Sequence, residues 1–331
     1  MDGDQISSHK LDSFLLAQID SSSIKGLSIA VINNGEIVYN NEIGTCNQYS
    51  QQPINGNTLF EAASLSKPMF AAFVLKLMQS RKMELDTPLY KYFPYPDIEH
   101  DDRYKSITSR MVLSHTTGFP NWRWQNEDQQ LDIKFQPGSQ FSYSGEGYEY
   151  LKKTVAHVYD IPLTSLDSLF QQEITIPLGL NHLYYEFTPY VVVHMASGHE
   201  NDKVVYDSWI ERTSMQAAGG LYTNAVSYAE FLVSLMDGGI LNEEVLTDFL
   251  TVQIDVPEDD NIAKSGVSAY SLGLGVKESS NGNVYLHGGN NWGYTSGFAF
   301  NLKKNYGFVF LTNSDQANDL SPALEAYLMP N

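Results

Sequence analysis

The run Ser64-Leu65-Ser66-Lys67-Pro68-Met69-Phe70-Ala71-Ala72-Phe73-Val74-Leu75-Lys76-Leu77-Met78 separates two kinds of pattern in the chain. Phe70, Phe73, Val74, Leu77 and Met78 recur at the spacing of one helical face, which predicts an amphipathic helix. Proline lacks the N–H that an inner helical residue donates, so Pro68 belongs to about the first turn and Ser64 to the helix start. Ser64 and Lys67, three apart, then share a face. A lysine amine there can take the serine proton if burial or a neighbouring cation leaves it partly neutral near pH 7. The N–H groups at a helix start also favour a developing negative charge. The same serines read equally as ordinary helix caps. Because the spacing recurs at Ser7/Lys10 and Ser22/Lys25, the rest of the chain must decide.

Outward from this run, β-type patterns lie on both sides. Upstream, Leu27-Ser28-Ile29-Ala30-Val31-Ile32 and Ile37-Val38-Tyr39 flank Asn33-Asn34-Gly35-Glu36, which predicts a hairpin around an Asn-Gly turn. Downstream, Thr295 to Leu302 and Gly307 to Thr312 form a second pair, with Asn283 to His287 as a strand before them. These five strands can make one antiparallel sheet, and the helix-like segments Ser13 to Ile19 and Ser321 to Leu328 can pack on it. Further helices are expected at Glu146 to Tyr159, Leu163 to Glu173 and Ser227 to Met236. The expected fold class is α+β: a five-stranded antiparallel sheet flanked by N- and C-terminal helices, with a mostly helical domain inserted. Residues 1–62 and 205–331 would form the discontinuous sheet domain and 63–204 the helical one. The cleft between them is the natural ligand site.

Composition narrows the function. Twenty Lys and Arg stand against 39 Asp and Glu, a net charge of −19, which repels phosphate backbones and argues against nucleic-acid partners. Cys46 is the single cysteine, so no intramolecular disulfide forms and no thiolate cluster can hold a metal. His194 and His199 beside Glu200 are too loosely spaced for a zinc motif, and neither a P-loop nor a G-x-G-x-x-G after a strand is present. No metal or other cofactor is expected. Met69 to Met78, the most apolar stretch, is about half the roughly 20 residues of a membrane span. The start, Met1-Asp2-Gly3-Asp4-Gln5, lacks the features of an export signal. As it stands the sequence predicts a cytoplasmic protein, or a periplasmic or secreted one if a leader has been removed. Oligomeric state is not indicated.

Two further segments carry candidate chemistry. Tyr143 lies in the turn-rich stretch Pro137-Gly138-Ser139-Gln140-Phe141-Ser142-Tyr143-Ser144-Gly145-Glu146 leading into a helix; as a base its phenol would need a nearby cation. His287-Gly288-Gly289-Asn290 follows a strand, and paired glycines let a backbone approach a ligand closely. The alternatives are one structural tyrosine among 21 and a Gly-rich hairpin with an exposed histidine. No G-x-S-x-G elbow exists to support an α/β-hydrolase.

Taken in order, Ser64-x-x-Lys67, Tyr143 and His287-Gly288-Gly289 resemble the three signatures of the serine β-lactamase and penicillin-binding-protein superfamily. The likeness is closest to the class C-like branch with its family VIII esterases, DD-carboxypeptidases and D-aminopeptidases. Leu113-Ser114-His115-Thr116-Thr117-Gly118-Phe119, Ala218-Gly219-Gly220-Leu221-Tyr222-Thr223 and the strand from Lys25 to Val31 resemble further segments of that branch, so the likeness covers nearly the whole chain.

The resemblance implies a β-lactamase/transpeptidase-like fold and an acyl-enzyme route. Ser64 attacks a carbonyl, Lys67 and Tyr143 share the proton traffic, and the oxyanion sits between the N–H groups of Ser64 and Asn290, with Gly289 beside them. His287 stands where β-lactamases have Lys, and a neutral imidazole would donate one hydrogen bond to Tyr143 or to substrate. Gly145 stands where the family's Tyr-x-Asn element has Asn, removing a donor and an acceptor. Trp122, just after the Leu113 to Phe119 segment, is a candidate to line the acyl pocket. Together these departures imply a serine hydrolase of small esters, amides or D-amino-acid peptides with weak or no β-lactamase activity. The rivals are an acyltransferase of the same fold and a noncatalytic penicillin-binding-like sensor.

Overall fold

The computed structural model describes residues 6–205 and 214–329. Among them the strands are β1 (Gly26–Asn33), β2 (Glu36–Gly44), β3 (Phe60–Glu61), β4 (His199–Glu200), β5 (Lys203–Val204), β6 (Tyr222–Thr223), β7 (Ile254–Asp255), β8 (Ala269–Tyr270), β9 (Gly275–Lys277), β10 (Val284–Asn291), β11 (Tyr294–Asn301) and β12 (Tyr306–Thr312). The five expected strands lie side by side in the order β2-β1-β12-β11-β10, antiparallel throughout. The sheet is nevertheless eight-stranded, because β9, β8 and β7 continue it beyond β10. Strands of two or three residues show no alternation, so nothing in the sequence between 254 and 277 announced them.

The hairpin between β1 and β2 turns on Asn34 and Gly35, at φ 54° and 75°. A two-residue turn matching the twist of the strands needs positive φ at both positions, which asparagine and glycine adopt at least cost. β11 and β12 are buried at every position, as is β1 up to its last residue, so both faces of the sheet are covered. Leu27, Ile29 and Val31 meet the N-terminal helix Ser8–Ser22 through Leu11 and Leu15, and the C-terminal helix Leu320–Leu328 through Leu320, Leu324 and Leu328. Phe14 and Tyr327 stack between those helices with ring centroids 4.2 Å apart. On the opposite face Ala30 and Ile32 join the larger core, which includes Tyr228 and Phe231 of the helix Ala225–Met236. β2 ends the sheet, and its residues are exposed or only half-buried.

The helix Ser66–Met78 departs from the expected amphipathic form. Eleven of its residues are buried, and Lys76 and Met78 are the two that are partly accessible. Met69, Ala71, Ala72 and Leu75 fill the sides that an amphipathic helix would leave to water, so the helix runs through the core. The segment expected as one helix from Leu163 is a short helix, Leu166–Phe170, continued by a π-turn at Gln171–Thr175. β10 runs on through Gly288 and Gly289 to Asn291, past the expected end at His287, because Gly297 and Ser296 of β11 still partner the two glycines. Cys46 is buried as a free thiol. No helix among the described residues is long and apolar enough to cross a membrane.

Candidate active site

Ser64 sits in a tight 3-10 turn, Ala63–Leu65, between β3 and the buried helix. Ala63 holds φ at 49°, a left-handed conformation that costs a side-chain-bearing residue free energy and must be imposed by its surroundings. Those surroundings are explicit. The Ser296 hydroxyl donates to the Ala62 carbonyl at 2.7 Å, the Tyr228 hydroxyl to Leu65 O at 2.9 Å, and the Tyr185 hydroxyl to Ser66 O at 2.6 Å. Ser66 is not a free cap: its hydroxyl donates to Ala63 O at 2.6 Å and accepts from Leu221 N at 2.9 Å. Pro68 falls in the first helical turn, where its missing N–H leaves no gap. The other two Ser-x-x-Lys pairs lie elsewhere: Ser7 caps the N-terminal helix, and Lys25 pairs with Asp202.

Lys67 is buried, with Nζ 3.3 Å from Ser64 Oγ and donating to Ala218 O at 2.7 Å. Burial pushes its pKa down to about 7, with the Glu149 carboxylate pulling the other way. The amine therefore has a substantial neutral fraction at neutral pH. Nζ also lies 4.6 Å from the centre of the Tyr143 ring. Burial raises the Tyr143 phenol above its ordinary value, against a smaller lowering by the Ser64 hydroxyl. Of the two expected proton carriers, Tyr143 is thus the neutral acid and Lys67 the group able to accept.

His287 lies on β10 with its ring centre 6.1 Å from that of Tyr143. Its Nδ1 is 2.7 Å from Gly288 O; a carbonyl only accepts, so Nδ1 carries the proton. Burial pushes its pKa down to about 3, with the charge of Lys67 adding to the effect. The ring is therefore neutral and its remaining nitrogen, Nε2, is an acceptor. This corrects the expectation of a hydrogen bond donated to Tyr143 or substrate, because the donor is used within the strand.

β9 pairs with β10 only at Val284 to Leu286, so among the described residues no strand covers the outer edge of β10 from His287 to Asn291. That edge faces the Ser64 turn. A Cβ on Gly289 would lie 2.7 Å from Ala62 O and 3.0 Å from Ser64 N, so only glycine permits this approach. Asn290 follows on the same edge and lines a cavity of about 770 Å³ together with Ser64, Tyr143, His287, Asn121 and Tyr270. The structure thus brings Ser64, Lys67, Tyr143, His287, Gly289 and Asn290 together. His194 and His199 stay apart from them: His194 bonds Tyr190 O and buried His199 bonds Asn313 O. Among the described residues no group of three or more His, Cys, Asp or Glu is placed to hold a metal ion.

Gly145 begins the helix Gly145–Val158, and the Trp122 indole fills the space beside it: a Cβ at 145 would lie 2.7 Å from two ring carbons. Asn121 accepts from Gly145 N through both its side-chain and backbone oxygens at 3.0 Å. Arg123 fixes the loop, bonding both Glu146 oxygens, Asp97 at 2.7 Å and the Tyr95 hydroxyl at 3.0 Å. Sequence reasoning missed two neighbours of Tyr143. His115 packs 4.3 Å from its ring and accepts from Ser144 N at 3.0 Å; its place in the Leu113 to Phe119 segment was the available signal. Tyr270 lies on a two-residue strand that gave none.

The family model described as Beta-lactamase matches residues 11–328. "Protein flp" of Staphylococcus aureus (strain COL) is 22% identical over 339 residues, covering 93% of this chain and 63% of its own length, so the chain spans under two thirds of that relative. The octameric penicillin-binding protein homologue from Pyrococcus abyssi superposes with a TM-score of 0.82 at 21% identity, over 98% of this chain and 77% of the other. The D-amino acid amidase of Ochrobactrum anthropi SV3, complexed with D-phenylalanine, gives 0.77 at 20% identity over 97% and 99%. The mixed helix and antiparallel-sheet architecture is that of the β-lactamase/transpeptidase fold.

Proposed function

Because the chain belongs to the Beta-lactamase family, we propose that it is a serine hydrolase acting through an acyl-enzyme on Ser64. The observation that carries this reading is the buried Lys67 amine, 3.3 Å from Ser64 Oγ and depressed to about pKa 7. Neutral Lys67 takes the Ser64 proton as Oγ attacks a carbonyl carbon. The oxyanion is held by the N–H groups of Ser64 and Asn290 across the close contact at Gly289. Tyr143 gives its phenolic proton to the departing atom and is reprotonated from Lys67. Water then releases the acyl group by the reverse traffic. In this reading residues 1–62 and 205–331 supply His287, Gly289 and Asn290, and residues 63–204 supply Ser64, Lys67 and Tyr143, so the cleft lies between the two parts.

The substrate is a small ester, amide or D-amino-acid peptide. Neutral His287 offers no fixed positive charge, and Trp122 occupies the place where a side chain at Gly145 would reach the substrate, so β-lactams are turned over weakly or not at all. The kinds of protein named among the structural relatives, a D-amino acid amidase and a penicillin-binding protein homologue, support this class.

Hydrolysis of a short-chain p-nitrophenyl ester by wild type and Ser64→Ala, with matched circular dichroism, tests the reading. The expected result is a loss of at least about 10³-fold in a folded variant. Equal activity in both would overturn it. A stable adduct on Ser64 without release would point to a sensor, and new esters formed with added alcohols to an acyltransferase.

A further inference from the structure

The chain has four tryptophans, and three of them, Trp122, Trp124 and Trp292, line one cavity of about 580 Å³. It meets the Ser64 cavity at Asn290, which lines both. Tyr143 and His287 belong only to the first cavity, so the leaving group, which must meet the Tyr143 proton, departs on that side. In the acyl-enzyme reading, the other substituent of the carbonyl carbon is left to extend past Asn290 toward the tryptophans.

The walls of the second cavity are built and not merely open. Trp122 is seated over Gly145 and stacks on Trp124, with ring centroids 4.7 Å apart and planes 11° from parallel. Arg123, between them in sequence, is tied to Glu146, Asp97 and Tyr95, which fixes the pair. Trp124 and Trp292 are 58% and 52% exposed, an uncommon disposition for two such large apolar rings unless they serve contact. Of the five charged residues on these walls, Arg123 pairs with Glu146 and Lys152 with Glu149, while Glu61 accepts from the Asn291 side chain. A flat ring is what the three indoles accept best, by apolar burial and ring–ring contact.

We propose that this tryptophan-lined cavity receives the acyl side of the substrate and selects aryl or arylalkyl acyl groups. Trp122 forms its floor and Trp124 and Trp292 its rim. The proposal rests on the acyl-enzyme reading for its orientation. Binding can be decided without it.

Two measurements test the proposal. In the first, kcat/KM is compared for p-nitrophenyl phenylacetate and p-nitrophenyl acetate. The phenylacetate-to-acetate ratio is expected to fall at least tenfold in Trp124→Ala and in Trp292→Ala, and to be kept in Trp124→Phe. An unchanged ratio overturns the proposal. In the second, phenylacetamide and acetamide are titrated into Ser64→Ala with intrinsic tryptophan fluorescence as the readout. Saturable quenching by phenylacetamide alone, weakened at least tenfold by Trp292→Ala, is expected. Equal response to both amides, or none, overturns the cavity assignment. If the wild type hydrolyses no ester yet the fluorescence result holds, the hydrolase reading fails while the aryl-binding cavity stands.

Discussion

The chemistry proposed for Ser64 turns on one buried amine. With Lys67 lowered to about pKa 7, kcat/KM is expected to rise with pH through about 7 and level off above it, since only the neutral amine accepts the serine proton. A flat pH–rate profile between 5.5 and 8.5 would remove Lys67 as the base. The same shift bears on stability, with a definite sign. Between about pH 7 and 10.5 the unfolded chain holds a proton on Lys67 that the folded chain has released, so stability rises with pH over that window. Buried Tyr143, Tyr148 and Tyr270 act oppositely above about pH 10, where the unfolded chain ionises phenols that folding keeps neutral. Lys67→Met is therefore expected to be inactive, and to gain thermal stability relative to wild type most at pH 6 and least near pH 9. At Gly145, an added methyl meets the Trp122 ring at 2.7 Å. Gly145→Ala is expected to lose about 1–3 kcal/mol by overpacking, measured by denaturant unfolding, and the double variant with Trp122→Ala to recover most of that loss.

At the scale of elements, the site is the meeting of a strand edge with a 3-10 turn. Gly289→Ala drives a methyl against Ala62 O and Ser64 N, backbone atoms that have little freedom to yield. It is expected to lower kcat by at least about 10²-fold while circular dichroism stays native, because it separates the two N–H groups assigned to the oxyanion. Retained kcat would place the oxyanion elsewhere. What could be read beforehand follows from element length. β1, β2, β11 and β12 announced themselves through β-rich runs and an Asn-Gly turn, whereas β7, β8 and β9 are too short to carry a period, and Gly288-Gly289 hid the continuation of β10. The helix Ser66–Met78 was located but its environment misjudged, since Ala71 and Ala72 look neutral in a sequence and prove to be core. The candidate site was legible as residues through a joint likeness in motifs. The His287 hydrogen bond to the neighbouring Gly288 carbonyl depends on the backbone and rotamer the strand adopts, and the seating of Trp122 over Gly145 on a contact across 23 residues, neither of which a residue pattern encodes. The roles of these residues are what Ser64→Ala and its companions decide.

For the whole molecule, a net charge of −19 means that folding gathers mutually repelling carboxylates. Raising salt from about 10 to 100 mM shortens the screening length from roughly 30 to 10 Å, so Tm is expected to rise, by about 2 °C or more. A Tm independent of salt would show that the charges are already locally compensated. Acidity also acts at the rim of the sheet. β2 is nine residues long and, among the described residues, leaves one row of backbone N–H and C=O groups without a strand beside it. Such a rim is a template for a second copy, and antiparallel self-pairing centred on Tyr39 would set Glu36 of each chain opposite Glu42 of the other. Like charges directly across a ladder oppose pairing. These two glutamates therefore act as guards against fibrous self-association.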